Sequence, residues 1–197
     1  MKVIGVILAG GRSKRMGGVD KAEIKVGGAR MIDHVSVRLR RQVDEIIISG
    51  PTDYGLGLQA IPDAQGVIGG PAGGIISVGL CLAGTRPEIS GFLTAPVDGP
   101  FLPADFARRM SGDTPAVAAD ECGIHPTFAW WPVGGLAAVE KAYSTEGKLS
   151  LKALAGALDA RCVFWEGSDH FVNLNTPDDV AAWETRLARG AIAGGSA

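Results

Sequence analysis

Between residues 12 and 21 the sequence places Arg12, Lys14, Arg15 and Lys21, opposed by the single carboxylate of Asp20 and interleaved with Gly17 and Gly18. Gly10 and Gly11 lead into this stretch. Without a Cβ, glycines let the backbone wrap an anion and aim N–H groups at it. Arginine grips a pyrophosphate with two parallel hydrogen bonds, and lysine offers a compact charge to a reacting phosphoryl group. The segment Leu8 to Lys21 therefore reads as a nucleoside triphosphate site, and the chemistry it suits is attack at phosphorus. Two rival motifs are absent. Neither Gly17 nor Gly18 precedes a lysine, as the G-x-x-x-x-G-K-[ST] loop requires, and the turn lacks the spacing G-x-G-x-x-G. A solvated glycine-rich surface loop is the plainer alternative. The position of the segment, directly after a buried strand, weighs against it.

That strand is Val3-Ile4-Gly5-Val6-Ile7-Leu8, an apolar run without alternation, as expected of a central parallel strand covered on both faces. Short apolar runs recur at Glu45 to Ser49, Gly91 to Ala95, Pro115 to Ala118 and Cys162 to Trp165. Helical patterns separate them. Met31 to Val43 sets Val35, Leu39 and Val43 on one face, with Arg38, Arg40 and Arg41 turned outward. Pro71 to Ala83, Val133 to Tyr143 and Ser150 to Leu158 are further helices. The last helix carries the clearest signals: Thr176 as N-cap, Pro177 at its first position, and Asp178 and Asp179 at the positive end of its dipole. Alternating strands and helices predict an α/β fold, a three-layer, doubly wound, mostly parallel sheet. Residues 1–189 form one expected domain and residues 190–197 a C-terminal tail. In such a sheet ligands lie outside the carboxyl ends of the strands. Asp98, at the tip of the run ending in Ala95, is then placed to hold Mg²⁺ on a triphosphate. Capping a turn is its duller alternative.

Composition narrows the function. The formal net charge of −2 over 197 residues leaves no broad basic surface for nucleic acid. The 29 glycines, about double the usual share of roughly 7%, fit a fold of many tight turns. Cys81, Cys122 and Cys162 have no metal-binding or disulfide spacing and read as reduced thiols. The N-terminal apolar run is far shorter than the about 18 residues of a membrane span, so a cytoplasmic protein with no membrane partner is expected.

The stretch Leu8-Ala9-Gly10-Gly11-x-Ser13-x-Arg15-Met16-Gly17-Gly18-x-Asp20-Lys21 resembles the signature of molybdenum cofactor guanylyltransferases, the MobA-like branch of the nucleotidyltransferases. Cytidylyltransferases of the same pathway usually read Leu-Ala-Ala-Gly there, so Gly10 leans toward guanine. The resemblance implies a Rossmann-like, nucleotide-diphospho-sugar transferase type of fold. It implies GTP and a molybdopterin-type cofactor as substrates, Mg²⁺ as the metal, and a molybdoenzyme or chaperone as recipient of the product. Leu8, Ala9, Gly10 and Gly11 would bind the nucleotide, Lys21 its phosphates and Arg15 the departing pyrophosphate. Ile61-Pro62-Asp63 and Gly69-Gly70-Pro71-Ala72-Gly73-Gly74 resemble the family's aspartate and its Gly-Pro-Leu-Ala-Gly loop. Asp63 reads equally as a guanine reader, accepting from N1–H and the exocyclic amine, and as a turn residue after Pro62. Ser49 stands where the family often has a nucleotide-contacting asparagine. It keeps a hydroxyl and loses the amide.

His125-Pro126-Thr127 and Asn173-Leu174-Asn175-Thr176-Pro177 resemble family segments near the second substrate. His125 alone reads as a structural hydrogen-bonding residue. Turn geometry accounts for Asn175 better than for Asn173. One departure stands out: the family often carries an arginine a few residues after the equivalent of Gly147, where this chain has Lys148 and Lys152. Lysine does not reproduce a bidentate grip. The expected reaction is in-line attack of an acceptor phosphate on the α-phosphorus of GTP, with Arg15, Lys21 and Asp98 as the catalytic residues. An ionised phosphate needs no general base. The alternatives are a cytidylyltransferase of the same pathway, a sugar-phosphate nucleotidylyltransferase, and a non-catalytic nucleotide- or cofactor-carrying module.

Overall fold

The computed structural model describes residues 2–10, 20–143 and 147–188; the glycine and cation segment 11–19 and the expected tail at 190–197 lie outside them. In chain order the strands are β1 (Ile4–Leu8), β2 (Lys25–Val26), β3 (Ala29–Arg30), β4 (Glu45–Ser49), β5 (Gln59–Ile61), β6 (Gly91–Pro96), β7 (Ala116–Asp120), β8 (Gly123–Pro132) and β9 (Arg161–Phe164). The α-helices are α1 (Met31–Arg40), α2 (Pro71–Thr85), α3 (Phe106–Met110), α4 (Val133–Tyr143), α5 (Leu151–Ala157) and α6 (Pro177–Ala188). Seven strands form one sheet in the order β5-β4-β1-β6-β8-β7-β9, and β2 and β3 form a separate hairpin. All pairings in the large sheet are parallel except the two made by β8. The expected three-layer, mostly parallel architecture is thus present.

Burial explains the lack of alternation in the strand runs. Ile4 and Val6 face a core shared with α2, α4 and α5, while Ile7 faces a second core with α1 and α3. With apolar layers on both sides, neither face of β1 has reason to be polar. Small residues set the layer spacing. A Cβ on Gly5 would lie 3.2 Å from Val43 Cγ2 and 3.5 Å from the Leu39 methyls, so the glycine lets the last turn of α1 and the segment after it settle close to β1.

Several features depart from the sequence reading. β8 is a ten-residue strand that the apolar-run criterion passed over, because Pro126 and Pro132 interrupt it and Phe128 to Trp131 are buried without alternation. Its prolines fall where ladder bonds are dispensable: Pro132 ends the strand, and Pro126 sits in an irregularity where the register with β7 jumps from Val117↔Ala129 to Ala118↔His125. The short helix α3 and strand β5 also went unread. Finally, α1 stops at Arg40, and Arg38 is not turned outward. Its guanidinium lies 5.8 Å from the centre of the Phe101 ring, and burial, with Arg41 nearby, pushes its pKa down.

The strand order fixes where a ligand would sit. From β1 the chain runs through α1 to β4 on one side, and it later returns through α2 to β6 on the other. The carboxyl end of β1 is therefore the point where the winding reverses.

Candidate functional site

Backbone bonds carry the pairing of β5, β4, β1 and β6 past their carboxyl ends and hold those ends side by side. Ala9 N–H donates to Ser49 O at 2.9 Å, Val97 N–H to Leu8 O at 3.1 Å, and Gly50 N–H to Ile61 O at 2.9 Å. Beyond them opens a cleft of about 480 Å³. Its walls come from the end of β1 (Leu8, Ala9, Gly10), from Ser49, and from Pro96, Val97 and Asp98 beyond β6. Asp20, Lys21, Asp63, Thr127, Leu151 and Asn175 complete it with the first turn of α2. The positive end of that fifteen-residue helix faces into the cleft through Gly70, Pro71 and Gly74.

Lys21, Asp98 and Asn175 meet inside it. Lys21 Nζ donates to Asp98 Oδ2 at 2.7 Å and to Asn175 Oδ1 at 2.7 Å. The Lys21 and Asp98 side chains are each only 18% exposed. Each arrives from a different part of the chain. Lys21 opens a short 3₁₀ turn, Lys21–Glu23, capped by Asp20, whose Oδ1 accepts from Ala22 N–H at 3.0 Å. Asp98 sits in the turn after β6, where Gly99 N–H donates to Pro96 O and Leu174 N–H donates to Asp98 O at 2.7 Å. Asn175 precedes α6. Asp179 accepts from the N–H groups of Asn175 at 2.9 Å and Thr176 at 2.8 Å, while Thr176 Oγ1 accepts from Asp179 N–H at 3.1 Å. This reciprocal cap fixes the approach of Asn175 to the lysine.

The cap has a pH signature. The Asn175 N–H bond first, then the Thr176 hydroxyl, hold the Asp179 pKa below its usual value. A carboxyl lowered on folding stabilises the fold above the usual carboxylate range and loses that contribution as pH falls through its depressed value. Asp179→Ala is expected to cost about 0.5–1 kcal/mol at neutral pH, the low end for a cap because the group is partly solvated. Urea denaturation should show that deficit shrinking as pH falls below about 4.

On the other side of the cleft, Ser49 is 2% exposed and Asp63 lies at the rim. Ala64 N–H donates to Ser77 Oγ at 2.9 Å, which ties the Asp63 turn to α2. A Cβ on Gly74 would stand 2.8 Å from Ser49 Oγ and 3.1 Å from Asp63 Oδ1. The glycine thus lets helix, hydroxyl and carboxylate come together.

The remaining expected residues are placed elsewhere. Arg15 and Gly11 lie outside the described residues. His125 does not line the cleft: the β8 irregularity turns it to the α3 side. There its Nε2 is 2.7 Å from Asp120 Oδ1 and its ring is 5.3 Å from that of Phe171. Thr127, on the same strand, lines the cleft instead. Asn173 packs beneath the turn, where a Cβ on Gly99 would lie 3.1 Å from its Oδ1, and its own carbonyl accepts from Asn175 Nδ2 at 3.4 Å. Lys148 is exposed and pairs by backbone with Gly69, and Lys152 is also exposed; neither lines the cleft. Sequence reasoning singled out His125 rather than Thr127 within their shared motif, and passed over Leu151 and Tyr54. Tyr54, in a glycine-rich turn, donates its hydroxyl to Asp20 Oδ2 at 3.0 Å, and no spacing links the two positions.

Comparison with known proteins places these features in context. The MobA-like NTP transferase domain profile matches residues 5–161. A molybdenum cofactor guanylyltransferase from Cereibacter sphaeroides is 35% identical, over 97% of this chain and 100% of its own. The crystal structure of molybdopterin-guanine dinucleotide biosynthesis protein A from Archaeoglobus fulgidus superposes with a TM-score of 0.70 at 16% identity, covering 94% of this chain and 99% of that one. Rv0371C from Mycobacterium tuberculosis, solved in complex with manganese, gives a TM-score of 0.63 at 17% identity over 94% and 99%.

Proposed function

Because the chain belongs to the MobA-like NTP transferase family, we propose that it transfers GMP from GTP to the terminal phosphate of a molybdopterin-type cofactor, releasing pyrophosphate. The observation that carries this reading is the meeting of Lys21, Asp98 and Asn175 in one cleft at the reversal point of the sheet. Three separated segments supply a cation, a carboxylate and an amide around the place where a polyphosphate and an acceptor would meet. An acceptor phosphate oxygen forms a bond to the α-phosphorus as the bond to pyrophosphate breaks. The nucleophile is already ionised, so the site works by alignment and charge. Lys21 neutralises the α-phosphate, and Arg15 takes the leaving pyrophosphate. Asp63 and Ser49, brought together at Gly74, read the guanine.

The donor set suits Mg²⁺. Among the described residues no group of three or more His, Cys, Asp or Glu is gathered for a metal, so the ion would be held by Asp98 with the substrate phosphates. That is how Mg²⁺, with its few protein carboxylates, is usually bound. When bound, it neutralises charge on the polyphosphate. Thr127 and Asn175, both in the cleft lining, would face the acceptor. The product passes to a molybdoenzyme or its chaperone. Among the described residues no helix is long and apolar enough to cross a membrane.

The test is pyrophosphate release from the purified protein with Mg²⁺, a molybdopterin source and each of GTP, CTP, ATP and UTP. Release is expected with GTP and only with the acceptor present. Preference for CTP overturns the assignment of Asp63 to guanine, and silence with all four overturns the transferase.

A further inference from the structure

Tyr54 is one of two described residues other than glycine with a positive φ, at 54°. A bulky side chain is seldom found in that region, and its persistence there marks a position held by its surroundings. The hold comes from both sides. Asp53 accepts from Gly55 N–H at 3.0 Å and Gly57 N–H at 3.1 Å, which closes the turn around Tyr54. Arg30 Nη1 donates to Tyr54 O at 3.0 Å and to Glu23 Oε1 at 3.1 Å. Arg30 is itself fixed by two bonds to Asp33, from Nε at 2.9 Å and from Nη2 at 2.8 Å.

The geometry points to Tyr54 as a positioning residue for Lys21. Its hydroxyl donates to Asp20 Oδ2 at 3.0 Å and lies 3.4 Å from Ala9 O. Ala9 belongs to the nucleotide-facing end of β1, and Asp20 caps the turn that Lys21 opens. One phenol therefore sets the spacing between the β1 terminus and the lysine, while the Tyr54 carbonyl reaches the far end of the same turn through Arg30 and Glu23. Burial, reinforced by the bond to Asp20, pushes the phenol pKa up to about 12, so it stays a donor at every working pH. Asp20 thereby holds two tasks, one on each oxygen: cap to Ala22 N–H and acceptor to the phenol. This inference rests on the proposed function, because the spacing has consequences only if Lys21 acts on a bound triphosphate.

The experiment compares Tyr54→Phe with the native residue in two backgrounds, native and Lys21→Ala, by pyrophosphate release from GTP with Mg²⁺ and acceptor. Melting curves are recorded for all four proteins. In the native background kcat is expected to fall about tenfold, the worth of a hydrogen bond to a charged acceptor, with KM changing less. In the Lys21→Ala background the same substitution is expected to change kcat less than twofold, because the group it aims is gone. A purely structural role would lower activity equally in both backgrounds, and that result overturns the proposal. So does an unchanged kcat in the native background. If Tyr54→Phe melts early, Asp20→Asn, which keeps an oxygen for the cap to Ala22 and puts an N–H donor in place of the phenol's acceptor, is read by the same criteria. Native protein that releases no pyrophosphate refutes the proposed function itself; active native protein with an indifferent Tyr54→Phe refutes only this inference.

Discussion

Lys21→Ala is expected to lower kcat for pyrophosphate release from GTP by about 10²–10³, equivalent to about 3–4 kcal/mol of transition-state stabilisation. The size follows from its setting. The ammonium is only partly exposed and is oriented by two acceptors at 2.7 Å, so it needs little reorganisation when charge develops on the transferring phosphoryl group. KM for GTP should rise far less, because on the proposed reading Lys21 acts on charge that develops only as the phosphoryl group is transferred. Steady-state kinetics with melting curves check this. Removing the lysine leaves Asp98 without its counter-ion, so a modest loss of stability should accompany the loss of rate. A variant that turns over normally would take Lys21 out of the chemistry. Lys21→Arg is a sharper probe of shape: it restores charge but not the compact head that fits between a carboxylate and an amide oxygen, and is expected to recover only part of the rate.

The legible parts of this protein are those governed by local rules. β1, β4 and β6 show as apolar runs because both their faces are buried, and α6 shows through its cap, its proline and its acidic first turn. Lys21 and Asp98, which line the cleft, are legible as candidates because a glycine-rich, cationic sequence and a strand tip carry their own signals. What stayed hidden depends on pairing between distant segments. β8 has strand geometry only because β6 and β7 flank it, and its register jump, invisible in spacing, decides that Thr127 faces the cleft while His125 turns to Asp120. Tyr54 reads as one residue of a turn until the fold brings it to Asp20, 34 positions away. Asn173 and Asn175 form one motif in sequence but part ways in space: Asn175 reaches the lysine, and Asn173 packs against Gly99 in the turn that carries Asp98.

Asp98→Asn is the second substitution with a large expected effect, and it separates two roles that a single carboxylate could fill. The change is isosteric, so the bonds that shape the turn, Gly99 N–H to Pro96 O and Leu174 N–H to Asp98 O, are retained. What is lost is one negative charge facing Lys21 and the polyphosphate. If Asp98 served only to hold the lysine, the substitution would leave the Mg²⁺ requirement unmoved and would cost nothing further once Lys21 was removed. If it holds the metal, as proposed, kcat falls by about 10² or more, and the Mg²⁺ concentration for half-maximal activity rises about tenfold in the native and Lys21→Ala backgrounds alike. The two substitutions together should then cost less than the product of their separate effects, because each disturbs the same ion pair. A Mg²⁺ titration of all four proteins discriminates the cases without any need for a bound complex. An unchanged metal dependence in Asp98→Asn would confine this residue to orienting the lysine and send the search for the metal's carboxylate to the other two in the cleft lining, Asp20 and Asp63.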